Sequence, residues 1–321
     1  MPFSIEEAQL VVIPVPWDVT VSYGDGTADA PEAILEESPQ LDFFDEDFPD
    51  VWRKGIAMDA IPKKLRKDGH NLRKLAKKFI RWQENGMPEE DEDEMEHFRD
   101  LLNQACEQVL YHVKRKASTY LEHGKTVAVL GGDHSSPLGL IQALGDLHDD
   151  FGILQIDAHM DLRKAYEDLY YSHASIMYNA LKVNAVSKLV QVGIRDCCDE
   201  EMELVRESKG RVEVFSSRQM ARDAAAGKTW QAQCDEIVQA LPQKVYFSFD
   251  IDGLEPQYCP GTGTPVPGGL GYEQTLYLLR AVKRSGRKII GFDLCEVGTS
   301  AWDANVGARV LWQMCLLVLA E

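Results

Sequence analysis

Gly152-Ile153-Leu154-Gln155-Ile156-Asp157-Ala158-His159-Met160-Asp161 decides the fold class of this chain. Its first half is a short, mostly apolar run, as expected of a strand buried on both faces. Its second half sets Asp157, His159 and Asp161 at alternate positions, and an extended chain points such residues the same way. Parallel sheets collect their ligands beyond the carboxyl ends of their strands. Two other places repeat the arrangement. The run at 126–130 leads into Gly131-Gly132-Asp133-His134, and the run at 245–249 leads into Asp250-Ile251-Asp252.

Working outward, further apolar runs lie at 10–15, 189–194, 211–215 and 288–293. Amphipathic, helix-like segments fall between the runs, at 100–122, 137–147, 175–182, 200–209, 230–240 and 272–285. Strand and helix alternate through the last two-thirds of the chain, which predicts one α/β domain on a parallel sheet over residues 1–321. One segment stands apart. Residues 63–81 are strongly basic and an acidic run follows at 89–96, while Leu72, Leu75, Phe79 and Trp82 recur at helical spacing. We read about 62–98 as a charged helical insertion whose opposite charges offset one another or meet a neighbouring subunit. The alternative is a membrane-surface or nucleic-acid patch.

Composition narrows the function. A net charge of −18 repels phosphates and argues against a nucleic-acid partner, while it is compatible with a cationic small substrate. No stretch approaches the roughly 18 consecutive apolar residues of a membrane span, so no membrane partner is expected. The first residues lack a basic region followed by a long apolar run, so no secretory signal is expected. The 7 cysteines form no CxxC pair. They are expected as free, packed thiols in a reducing cytoplasm.

The three runs together supply four carboxylates and two imidazoles: His134, Asp157, His159, Asp161, Asp250 and Asp252. This donor set suits two divalent ions, with Mn²⁺ favoured and Ni²⁺ or Co²⁺ as further options, more than thiolate-loving ions. Two ions sharing carboxylates lower the pKa of a water from 15.7 to about 7.

Four longer motifs carry a resemblance. Gly131–Ser135 (GGDHS), Asp157–Arg163 (DAHMDLR), Ser248–Pro265 (SFDIDGLEPQYCPGTGTP) and Gly291–Val297 (GFDLCEV) resemble those of the ureohydrolases, arginase, agmatinase and their relatives. The likeness runs in order from about Val11 to the C-terminus and fails across the charged segment. It implies a three-layer α/β/α sandwich around a mainly parallel eight-stranded sheet. It implies one ion on His134, Asp157, Asp161 and Asp250, and another on Asp157, His159, Asp250 and Asp252. It also implies catalytic roles for Asp161, which orients the attacking water, for Glu296, which pairs with a guanidinium, and for His173, which carries a proton. A homo-oligomer, trimer or hexamer, belongs to the same expectation.

Tyr171-Ser172-His173-Ala174 and residues 260–265 are closer to the agmatinase branch than to the Asn- and Ser-rich arginase pattern, so agmatine is the expected substrate, giving putrescine and urea. Guanidinobutyrate, guanidine, arginine and formiminoglutamate stay open, as does a non-catalytic, metal-stabilised assembly protein. An acidic, aromatic rim of Glu167, Asp168, Tyr170 and Tyr171 is expected at the mouth. Three departures bear on the pocket: Glu255 in place of the family's usual Asp, no Pro-containing turn after Glu296, and a divergent loop at 17–27.

Overall fold

A computed structural model describes residues 3–320. Its centre is a single eight-stranded sheet in the order β2-β1-β3-β8-β7-β4-β5-β6. The strands are β1 (Leu10–Val15), β2 (Ile56–Met58), β3 (Thr126–Gly131), β4 (Phe151–Ile156), β5 (Val186–Val192), β6 (Val212–Phe215), β7 (Lys244–Asp250) and β8 (Lys288–Cys295). Every strand pair is parallel, so the sheet is wholly rather than mainly so. Apolar runs predict seven of these strands. The eighth, β2, is an edge strand of 3 residues, too short to show a pattern.

Side chains alternate across the sheet and build a core on each face. Leu10, Val12, Ala128, Leu130, Phe247 and Phe249 face one layer. That layer comprises α1 (Ala30–Glu37), α7 (Ser217–Ala225), α8 (Trp230–Ala240), α9 (Tyr272–Arg284) and α10 (Ala301–Leu319). Ile13, Val15, Val127, Val129, Ile153 and Tyr246 face the other. There lie α2 (Lys63–Glu84), α3 (Glu92–Glu122), α4 (Leu138–Leu147), α5 (Ile176–Ala180) and α6 (Asp199–Glu207). Helices α1, α7 and α10 have no counterpart among the predicted segments. In α10 the obstacle is burial nearly all round, which removes the polar stripe that marks a surface helix.

The charged segment forms α2 and the start of α3. Part of the acidic run opens α3, where Glu92, Asp93 and Glu94 suit the positive end of the helix dipole. Helix α2 buries a stripe of Gly69, Arg73, Ala76, Phe79 and Ile80, while Leu72, Leu75 and Trp82 are only half-buried. A charged residue therefore sits in the middle of its inward face. Among the described residues no helix is long and apolar enough to cross a membrane.

Candidate functional site

Strands β3, β8, β7 and β4 are neighbours in the middle of the sheet, and their carboxyl ends form the floor of the site. His134 follows β3, Asp157 to Asp161 follow β4, Asp250 closes β7 and Glu296 follows β8. The alternate spacing converges by a different route from the one expected. The strands stop before the spacing ends, and tight turns take over. The Asp157 carboxylate accepts the backbone N–H of His159 at 2.7 Å, and Asp250 accepts that of Asp252 at 2.9 Å. Such side-chain-to-backbone bonds two residues apart close an Asx turn, which curls each run back on itself. Asp161 and Glu296 hold left-handed backbone, at φ 56° and 60°. Non-glycine residues pay for that conformation in strain and concentrate at functional sites.

All six predicted ligand side chains meet. His134 Nδ1 lies 3.1 Å from Asp157, 3.0 Å from Asp161 and 3.4 Å from Asp250. His159 Nδ1 lies 3.1 Å from Asp252 and 3.6 Å from Asp157. Two groups can hold an ion, His134 with Asp157 and Asp250, and Asp157 with His159 and Asp252, and Asp157 belongs to both. His134 Nδ1 is buried and, despite three oxygens so near, has no hydrogen-bond partner. That is the geometry of ligands aimed at a common centre: donors about 2.1 Å from one ion and at right angles stand roughly 3 Å apart. Charge agrees. Burial, then the neighbouring carboxylates, push Asp250 far above its ordinary range and Asp161 up to about 7. Against burial, Asp157 and Asp252 raise His159 to about 12. The pull that would protonate these imidazoles acts equally on a divalent cation.

Behind the ligands stands a polar layer with a faint sequence trace. Gln155 interrupts the apolar run of β4, and its amide donates to Asp157 at 2.8 Å. Gln191 on β5 donates to Gln155 at 2.6 Å and to the Met160 carbonyl at 2.7 Å. Ser248 lies 2.9 Å from His134 Nε2, with Asp293 at 3.6 Å. A glutamine or serine inside a buried strand is the signal, since such a group is kept only where it has partners.

Glu296 is buried beside the cluster. One oxygen accepts the His134 N–H at 2.9 Å, and the other is buried without a partner. Burial, then Asp133, raises its pKa far above the carboxylate range. Gly263 faces the free oxygen, and a Cβ there would stand 3.1 Å from it. His173 opens a 3₁₀ turn above the floor, its ring edge-on to Tyr166 with centroids 5.8 Å apart. Burial, then the imidazoles of His159 and His134, lowers its pKa to about 3, so it rests neutral. Over it lies the loop that follows β1. Gly132 fits beneath that loop only as glycine, because a Cβ would come within 1.8 Å of the Trp17 carbonyl oxygen.

The mouth is a cavity of about 160 Å³ between His159, Asp161, Tyr166, His173, Asp196 and Thr264. The expected rim does not line it. Asp168 and Tyr170 are exposed, Glu167 turns toward Arg73 of α2, and Tyr171 packs beside α3. Beside Asp161, the acidic groups at the mouth are Asp196 and Glu201. Arg163 there stacks on Tyr166 at 4.9 Å. Cys197 also borders the mouth and is exposed, whereas packing holds for the five buried cysteines. Glu255 bonds Gln257 at 2.6 Å, away from the ligands. The turn after Glu296 is held without proline: Ser300 caps α10, and Asp303 in its first turn accepts the Gly261 N–H at 3.4 Å.

The family model for the arginase family matches residues 8–317. The chain belongs to the arginase family. An N(1)-aminopropylagmatine ureohydrolase of Thermus thermophilus is 34% identical over 292 residues, covering 91% of this chain and 83% of the relative. One from Synechocystis is 30% identical over 295 residues, covering 92% and 83%. The fold matches the crystal structure of an agmatine ureohydrolase of Thermoplasma volcanium with a TM-score of 0.73 at 23% identity, over 99% of this chain and 92% of that one. The chain is thus an arginase-family hydrolase, a metal-dependent ureohydrolase acting on guanidino compounds.

Proposed function

We propose that this arginase-family chain hydrolyses agmatine to putrescine and urea on two divalent ions held by His134, Asp157, His159, Asp161, Asp250 and Asp252, with Mn²⁺ the preferred ion. When bound, such a pair lowers the pKa of water from 15.7 to about 7. The observation that carries the reading is the buried, unpartnered oxygen of Glu296 next to the ligands. A carboxylate so placed calls for a cation with planar donors, and a guanidinium supplies one. Glu296 holds the guanidinium and Asp161 orients the water that attacks its carbon. The bond from that carbon to the substituted nitrogen breaks, His173 hands a proton to the departing amine, and urea and an ammonium product leave.

The tail of the substrate passes the mouth, where the carboxylate of Asp196 is exposed and forms no hydrogen bond among the described residues. It is placed to meet an ammonium. A second reading, an agmatine extended by a further aminopropyl group, is favoured by the activity for which the Thermus and Synechocystis relatives are named.

The test is urea release from agmatine, N(1)-aminopropylagmatine, guanidinobutyrate, arginine and guanidine, each with Mn²⁺, with Ni²⁺ and without metal. Formiminoglutamate is assayed in parallel for formamide. Fastest urea release from the two agmatines is expected. Glu296→Gln should lower it by roughly 100-fold or more with bound metal unchanged. Formamide from formiminoglutamate, with no urea from any guanidine, would overturn the proposal.

A further inference from the structure

Thr20 is fully buried in the loop after β1 and links two residues far apart in the chain. Its hydroxyl donates to one oxygen of Asp133 at 2.8 Å, and its backbone N–H donates to the same oxygen at 3.2 Å. The other oxygen of Asp133 accepts the Ser135 hydroxyl at 2.5 Å and the Ser135 N–H at 3.1 Å. Four donors therefore surround this carboxylate, which acts purely as an acceptor. On its far side Thr20 Oγ1 accepts the His173 backbone N–H at 3.0 Å and stands 3.3 Å from His173 Nδ1.

A hydroxyl has one hydrogen, and that of Thr20 is directed at Asp133. Toward the ring it offers only lone pairs, so Nδ1 carries the imidazole hydrogen and Nε2 is the basic nitrogen. We infer that Thr20, held by Asp133, is the positioning residue that fixes the tautomer of His173. This rests on the reading of His173 as the proton carrier. A carrier has to accept a proton before it can deliver one, and His173 borders the same cavity as His159 and Asp161. With Nδ1–H anchored on Thr20, Nε2 is free to accept. Once it has done so, the imidazolium keeps its Nδ1–H on an oxygen backed by a carboxylate, which favours the charged ring. With the hydrogen on Nε2 instead, the ring could not begin the cycle.

The experiment compares Thr20→Val, which keeps the branched shape and removes the hydroxyl, with Thr20→Ser, which restores it. Thr20→Val should lower kcat on the best guanidine of the panel by roughly 10- to 100-fold, with KM and metal content unchanged, and Thr20→Ser should recover to within about threefold. Nitrogen NMR of histidine-labelled wild-type protein should show His173 with hydrogen on Nδ1, and Thr20→Val should lose that preference. A Thr20→Val kcat within about twofold of wild type, or His173 with hydrogen on Nε2 in the wild-type protein, overturns the inference. His173→Ala separates the two levels. Full urea release by that variant removes the carrier role, whereas the wild-type NMR spectrum alone decides the tautomer.

Discussion

On the floor of the site, four adjacent strand ends carry the six proposed ligands and Glu296, and each ligand run is shaped by bonds to its own backbone two residues away. At the mouth, the loop after β1 and the segment before His173 lean also on helices distant in sequence. Arg73 of α2 donates to the Val19 carbonyl at 3.3 Å across 54 positions. Burial lowers its pKa, while the charges of Asp18, Asp25, Asp133 and Glu167 draw it back up. Gln83 and Asn103, from α2 and α3, hold Asp168 at 3.1 and 2.9 Å. Local motifs thus fix the chemistry, and long-range charge fixes the access to it. A family built this way can change substrate while its hydrolytic centre stays as it is.

The contrast breaks most visibly at Asp157, the carboxylate shared by both groups that could hold an ion. Groups one step behind a metal ligand are worth roughly 10- to 100-fold. Asp157→Asn should exceed that, with urea release down by roughly a thousandfold and bound metal lost. Elemental analysis alongside the assay checks this. Retention of both ions would place the shared ligand elsewhere and undo the division between floor and mouth.

Arg73→Met attacks the other half. Removing the cation takes its charge from Asp18, Asp133 and Glu167, while Asp25 keeps Lys77, which should cost on the order of 1–3 kcal/mol of stability in a denaturant titration. Early proteolysis within residues 16–27 should accompany it, with metal content unchanged. A parallel loss of metal would show that mouth and floor are one unit.

The same division explains what the sequence reveals. His134, Asp157 and Asp250 are legible because each ligand run is contiguous and ends an apolar stretch, so sheet topology brings them together. Strand β2, with 3 residues, carries too little pattern to read. The link from Asp133 through Thr20 to His173 spans separations of 113 and 153 positions. No local spacing encodes such a contact, although the glycine pair before Asp133 hints at a close approach. The acidic rim fails for a conformational reason: nearness in sequence to His173 places Glu167 at the mouth, and the backbone turns it away.

That turn supports the smallest and most specific prediction. Tyr166 and Leu169 exchange backbone hydrogen bonds at 3.2 and 2.9 Å, and the two residues between them, Glu167 and Asp168, both have left-handed backbone at φ 50° and 56°. Glycine or asparagine is usual there. The bonds of Asp168 to α2 and α3 hold the strained pair in place and point Glu167 inward, where one of its oxygens is buried without a partner. Burial raises its pKa from 4.5 to about 7, with Arg73 opposing and Glu84 adding to the shift. A carboxyl with a raised folded pKa holds its proton more tightly in the folded protein. Both states are protonated well below 4.5, and stability falls as pH climbs from there through about 7, because the folded chain must ionise a buried group. Glu167→Gln imitates the protonated form at every pH. It should raise Tm by about 1–3 °C near pH 8 and leave it nearly unchanged near pH 4. A gain of the same size at both pH values would trace the effect to the turn itself, and a loss near pH 8 would mean that the charge of Glu167 is needed beside Arg73.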